Sequence, residues 1–145
     1  MNVSQELKNF SNLTPHKTLL RIVKNPIKFS KEKVNNIIPS ISMGSDGPIL
    51  TNLILLTDNF IIDVRVGSQN EIFDYISINT IINYRLSLSE HIIKTADGKD
   101  IVYQVAQIEL LHDLAGFKTA LSYVGNDRES WLNKVIETMP ISLIL

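Results

Sequence analysis

The chain has 145 residues, 44% hydrophobic and 20% charged, with a formal net charge of −1 and no cysteine. Such a length points to one domain able to bury a substantial core, the composition is that of a soluble globular protein, and no run approaches the roughly 18 apolar residues of a membrane-spanning helix. Without cysteine there are no disulfides, thiolate metal sites or cysteine nucleophiles, which fits a cytoplasmic chain.

Residues 1–34 carry seven Lys/Arg and two Glu, net +5, whereas the rest carries seven and thirteen, net −6. A basic leader therefore precedes an acidic body, an asymmetry that serves an anionic partner or lets the leader pack on its own domain. The opening MNVSQELKNFSNL has neither a basic start nor an apolar core and does not read as a secretory signal. Leu7 and Phe10 fit a short first helix. Thr14-Pro15 is a good start for a second one, in which Leu19, Leu20, Ile22 and Val23 form an apolar stripe beside Lys17, Arg21 and Lys24, up to Pro26. Three uses of this leader stay open: a helical hairpin docked on the domain, an arm exchanged between subunits, or an amphipathic helix on a membrane surface.

The body, residues 35–145, begins with a weak strand pattern at 35–42. ILTNLILL follows, and then Phe60, Ile62, Val64 and Val66 alternate with Asn59, Asp63 and Arg65, the period of two of a half-buried strand. Asp58-Asn59 between these runs favours a tight turn, so the stretch is a β-hairpin. Ile76, Ile78, Ile82, Tyr84, Leu86 and Leu88 continue the alternation, with a break or bulge near Asn79-Thr80. HIIKTADGKDIVYQV reads as two strands joined through Asp97-Gly98, and GFKTALSYV as one more, which makes about seven. After Asn126 the period changes: Asn126 and Glu129 resemble a capping box, and Trp131, Leu132, Val135, Ile136 and Met139 share one face of a helix over 127–139 that Pro140 stops. The fold expected is mostly β with α, a bent antiparallel sheet or partly open barrel capped by that helix, with Trp131 as a core anchor. The apolar tail ISLIL, 141–145, is too costly to leave exposed in a monomer and suits an added edge strand, in its own domain or in another chain.

LLTDNFIIDVRVG, YISINTIINYRL, IIKTADGKDIVYQV and the closing RESWLNKVIETM together resemble the bacterial pleckstrin-homology-like domains, over about residues 35–139. That resemblance implies seven strands and one helix on a noncatalytic scaffold that binds phosphoinositides, peptides or other domains. Phosphoinositide-binding members carry converging cations in the first hairpin. The corresponding SMGSDGP, residues 42–48, offers Asp46 and no cation, with Lys28, Lys31 and Lys33 just upstream.

Motifs of catalysis are sparse. His16, His91 and His112 lack the spacing of a zinc helix, and there is no Gly-rich phosphate loop or nucleophile elbow. His112-Asp113 forms an acid-base pair only if two adjacent loop residues face each other, so a simple turn is the expectation. The carboxylates Asp58 and Asp63, or Asp97 and Asp100, sit at or beside hairpins, where turn formation and exposure account for them. The basic leader lacks the interleaved aromatics of a nucleic-acid site. No cofactor or metal is expected. The sequence thus points to an interaction module, with Leu19, Ile22, Val23, Ile141, Leu143 and Leu145 as apolar contacts to a protein partner or a second copy. The alternative is peripheral binding to anionic lipid through Lys17, Arg21, Lys24, Lys28, Lys31 and Lys33.

Overall fold

The computed structural model describes residue 21 and residues 31–66, 70–113 and 118–139. Among them, strands β1 (Asn36–Gly44), β2 (Gly47–Leu56), β3 (Phe60–Val66) and β4 (Glu71–Ser77) are followed by a 3-10 turn, Ile78–Thr80. Strands β5 (Ile81–Lys94), β6 (Asp100–His112) and β7 (Lys118–Gly125) and helix α1 (Arg128–Thr138) complete the order.

The turns follow from their residues. Ser45 and Asp46 join β1 to β2 between Gly44 and Gly47, the latter at φ 128°, in the region that glycine tolerates. Between β2 and β3 the Thr57 hydroxyl accepts the N–H groups of Asn59 and Phe60, at 3.2 and 2.9 Å, and so closes the expected hairpin. The turn after β5 is held by the Thr95 hydroxyl, which donates to the Asp97 carboxylate, and by Gly98 at φ 81°.

These strands form a mixed α/β fold with two antiparallel sheets, in the orders β1-β2-β3-β4 and β5-β6-β7, and one helix. The sheets do not close into a barrel, which corrects the barrel expected from the sequence. The reason lies at the seam where β1 passes β7. Pro39 in β1 has no N–H to give a ladder, and its carbonyl accepts the Trp131 indole N–H at 2.9 Å. Next to it, the Ser40 hydroxyl accepts the Ser122 N–H at 3.0 Å, so side chains join the strands where backbone would be needed for closure.

Both faces of the four-stranded sheet carry fully buried side chains. On the inner face Ile38, Ile54, Leu56, Ile61 and Ile76 meet Ala106, Ile108, Leu110 and Leu121 of the other sheet and Trp131, Val135 and Met139 from α1. On the outer face Ile37, Leu55 and Ile62 form one cross-strand row, and Pro39, Leu53 and Val64 the next. Ile37, Leu53, Leu55, Ile62 and Val64 are all fully buried.

Helix α1 starts one residue later than the capping-box pattern suggests: Asp127 is the N-cap, and its carboxylate accepts the Ser130 N–H at 3.3 Å. Met139 is already extended, as a residue before proline prefers. Trp131 is buried and stacked on Tyr123 with ring centroids 5.8 Å apart, whereas Ile136, expected on the core face, is 48% exposed. Trp131→Phe keeps most of the apolar surface but strands the Pro39 carbonyl. It is expected to lower stability by about 1–3 kcal/mol, the cost of a buried unpaired acceptor, in urea unfolding followed by circular dichroism.

Candidate functional site

Strand β5 is long, 14 residues, and has a single hydrogen-bonded neighbour among the described strands, β6. A register shift between Ile81 and Asn83 starts it, and the Asn83 side chain accepts the Tyr84 N–H at 2.8 Å. Tyr84, Leu86 and Leu88 pair with Leu110, Ile108 and Ala106, whose side chains are buried in the inter-sheet core. The helix lies mainly against β6, β7 and β1, and reaches β5 through Arg128. Leu86 and Leu88 are 46% and 51% exposed, and Ile82 and Ile92 on the same strand are exposed as well.

Arg128 fixes the helix beside this strand. Its guanidinium Nη1 donates to the Ser89 carbonyl of β5 at 3.0 Å and to the Val105 carbonyl of β6 at 3.1 Å, and its N–H is accepted by Gln104 Oε1. Leu132 and Ile136 follow Arg128 at four-residue intervals, so they lie along the side of α1 that Arg128 turns toward β5. Leu86 and Leu88 are exposed on a strand whose outer edge has no partner among the described residues, and half-buried Leu132 and exposed Ile136 lie on the side of α1 that carries Arg128. An unpaired edge beside apolar side chains accepts an extended apolar segment through backbone hydrogen bonds and side-chain burial.

The residues proposed from the sequence distribute differently. Leu19, Ile22, Val23, Ile141, Leu143, Leu145, Lys17, Lys24 and Lys28 lie outside the described residues. Arg21 forms an ion pair with Glu71 of β4, and Lys31 and Lys33 are exposed. The hairpin of residues 42–48 is the two-residue turn already described, with Asp46 exposed at its tip.

His112 is not in a loop, as the sequence suggested, but is the last residue of β6, buried while Asp113 is exposed. Nδ1 lies 2.8 Å from Thr80 Oγ1 and Nε2 lies 2.8 Å from Thr119 Oγ1. The Thr80 hydroxyl donates to the Ser77 carbonyl at 2.8 Å, so toward the imidazole it acts as acceptor. Nδ1 thus carries the proton, and Nε2 accepts from Thr119. The ring joins the 3-10 turn to β6 and β7, a structural position rather than that of an acid-base pair with Asp113. Burial lowers its pKa from the ordinary value of 6.5. The unfolded chain takes up a proton that the folded one resists, so stability present above about 6.5 declines as pH falls below it. Urea midpoints measured between pH 7.5 and 5 are expected to fall, with a flatter profile in His112→Gln.

Asp63 stands in the strand beside the hairpin, but it is half-buried rather than exposed. It sits inside β3, opposite Asp74 of β4, and accepts from the Asn52 amide at 2.7 Å. Burial raises its pKa above the usual 3.8; the Asn52 hydrogen bond opposes this, Asp74 adds to it and Arg65 works against it. A carboxylate whose folded pKa is raised weakens folding as pH rises above its unfolded value of 3.8, and the loss is complete once pH exceeds the folded value. Asp63→Asn is therefore expected to be more stable than the wild type at pH 7, with the difference vanishing below about pH 3.8 in paired denaturation curves. Asp97 is held in its turn, where the hydrogen bond from Thr95 and then that from the Lys99 backbone lower its pKa.

Among the described residues no group of three His, Asp or Glu side chains is placed to hold a metal ion, and no helix is long and apolar enough to cross a membrane. No family model matches the chain, and no curated protein or solved structure matches it either. The exposed edge of β5 was missed by sequence reasoning. Its leucines alternate with serines like any half-buried strand, and their period says nothing about which neighbour is lacking.

Proposed function

We propose that the protein is a noncatalytic interaction module of the pleckstrin-homology-like kind, acting in the cytoplasm by adding a partner's extended segment to the edge of β5. The observation that carries this reading is the exposure of Leu86 and Leu88 on an edge strand whose paired residues are core. The resemblance implies seven strands and one helix, and seven strands with a closing helix stand among the described elements. The occupant proposed is residues 141–145 of a second copy. ISLIL alternates Ile141, Leu143 and Leu145 on one side, the period that an added strand needs to set three apolar side chains along the edge of β5.

Binding to an anionic surface ranks second. It rests on the exposed Lys31 and Lys33 and the net charge of the leader, but the Arg21 ion pair with Glu71 removes one of its six cations. It predicts liposome binding that weakens as salt is raised.

The deciding measurement is multi-angle light scattering of the full chain across a range of concentrations. Self-association is expected for the wild type. It is expected to be lost, with an unchanged circular dichroism spectrum, in the pair Leu86→Lys and Leu88→Lys and on removal of residues 141–145. A wild type that stays monomeric at every concentration would sink this reading.

A further inference from the structure

A glycine that follows an aspartate has no Cβ to shield its backbone nitrogen, which can reach the neighbouring carboxyl carbon and close a cyclic imide. The sequence holds two such pairs, Asp46-Gly47 and Asp97-Gly98, and both aspartates are exposed in hairpin turns. Their sequence chemistry is alike, but their surroundings differ. At the second pair both reacting groups are held. The Gly98 N–H donates to the Thr95 carbonyl at 3.0 Å, and the Thr95 N–H donates to the Lys99 carbonyl at 2.8 Å. The Asp97 carboxylate accepts the Thr95 hydroxyl and the Lys99 backbone N–H. These bonds lower its pKa, Thr95 first and Lys99 next, and a carboxylate kept ionised has no hydroxyl to lose.

The first pair lacks that brace. Asp46 is exposed, and its carboxylate has no hydrogen-bond or ion-pair partner among the described residues. The space about Gly47 is open as well. Apart from its chain neighbours, only the Tyr103 hydroxyl among the described residues, at 4.0 Å, comes near the place a Cβ would take.

We infer that Asp46-Gly47 is a modification site, where aspartate isomerises to isoaspartate in the folded protein while the braced Asp97-Gly98 is spared. In the first step the Gly47 nitrogen bonds to Cγ of Asp46, and the carboxyl hydroxyl leaves with the amide proton as water. Water then adds to the backbone carbonyl carbon of Asp46 in the succinimide and breaks its bond to nitrogen. The main chain now runs through Cβ and Cγ, the α-carboxylate is free, and the water lost has been regained, so no oxidant or reductant enters. The product matters because the turn is short: Ser45 and Asp46 alone join Gly44 to its partner Gly47. An added methylene lengthens a connection whose length sets the register of β1 on β2, so the pairs Gly44–Gly47 and Met43–Pro48 give way first. This site goes beyond the association proposed for β5 and does not rest on it.

The test incubates the unaltered full chain at neutral pH and physiological temperature, in buffer and in urea. Peptide mapping with electron-transfer fragmentation then tells isoaspartate from aspartate at each pair. In urea the two pairs are expected to convert at similar rates. In the folded protein conversion at Asp46 is expected to be several-fold faster than at Asp97. Thr95→Val, which removes the hydroxyl and keeps the side-chain shape, is expected to raise conversion at Asp97 several-fold and to leave that at Asp46 unchanged. Equal rates at the two pairs in the folded chain, or faster conversion at Asp97, overturn the assignment. So does an Asp46 that stays intact while the sample in urea converts, and an Asp97 rate unmoved by Thr95→Val overturns the protection ascribed to its turn.

Discussion

Leu53, Ile54, Leu55 and Leu56 bury four successive side chains, and the rest of the molecule follows from that constraint. A strand points successive residues to opposite faces, so a run like this needs apolar cover on both sides of its sheet. The three-stranded sheet and α1 supply one cover. The demand for a second explains why Ile62 and Val64 are fully buried on a face that no described helix touches. At about 1.5–3 kcal/mol for each large aliphatic side chain buried, an uncovered outer face would leave a domain of this size with little margin.

The two sheets are joined by side chains rather than by a ladder. Pro39, Ser40 and Trp131 form one junction, where a missing donor, a hydroxyl and an indole replace regular pairing. At the far end Thr80, His112 and Thr119 form another, with the imidazole held between two hydroxyls. Both junctions use polar groups whose partners are satisfied inside the protein, so they fix one arrangement of the sheets instead of merely holding them together. The same arrangement sets α1 mainly against β6, β7 and β1, with Arg128 as its link to β5.

Much of this fold is legible in the sequence because turns and periods are local. Thr57 to Phe60, Asp97-Gly98 and the helix through Trp131 all follow from residues within a few positions of one another. The division into two sheets is not local. It depends on what Pro39 does 92 positions from Trp131 and on a serine pair 82 positions apart. Nor does alternation reveal how many neighbours a strand has, so Leu86 and Leu88 read as core although they are half-exposed. Nor does the adjacency of His112 and Asp113, which suggests a simple turn, reveal that His112 ends a strand, where its imidazole finds threonines.

Trp131 is the chain's single tryptophan, and its position gives it a second significance. The indole rests on Tyr123, touches both sheets through its ring and its N–H, and sits one residue before Leu132, which lies on the side of α1 that carries Arg128. Its emission colour and quenching are therefore a native optical gauge of how firmly the helix is seated. Any occupant of β5 that shifts α1 registers in that signal without a label, and one that leaves the helix in place does not.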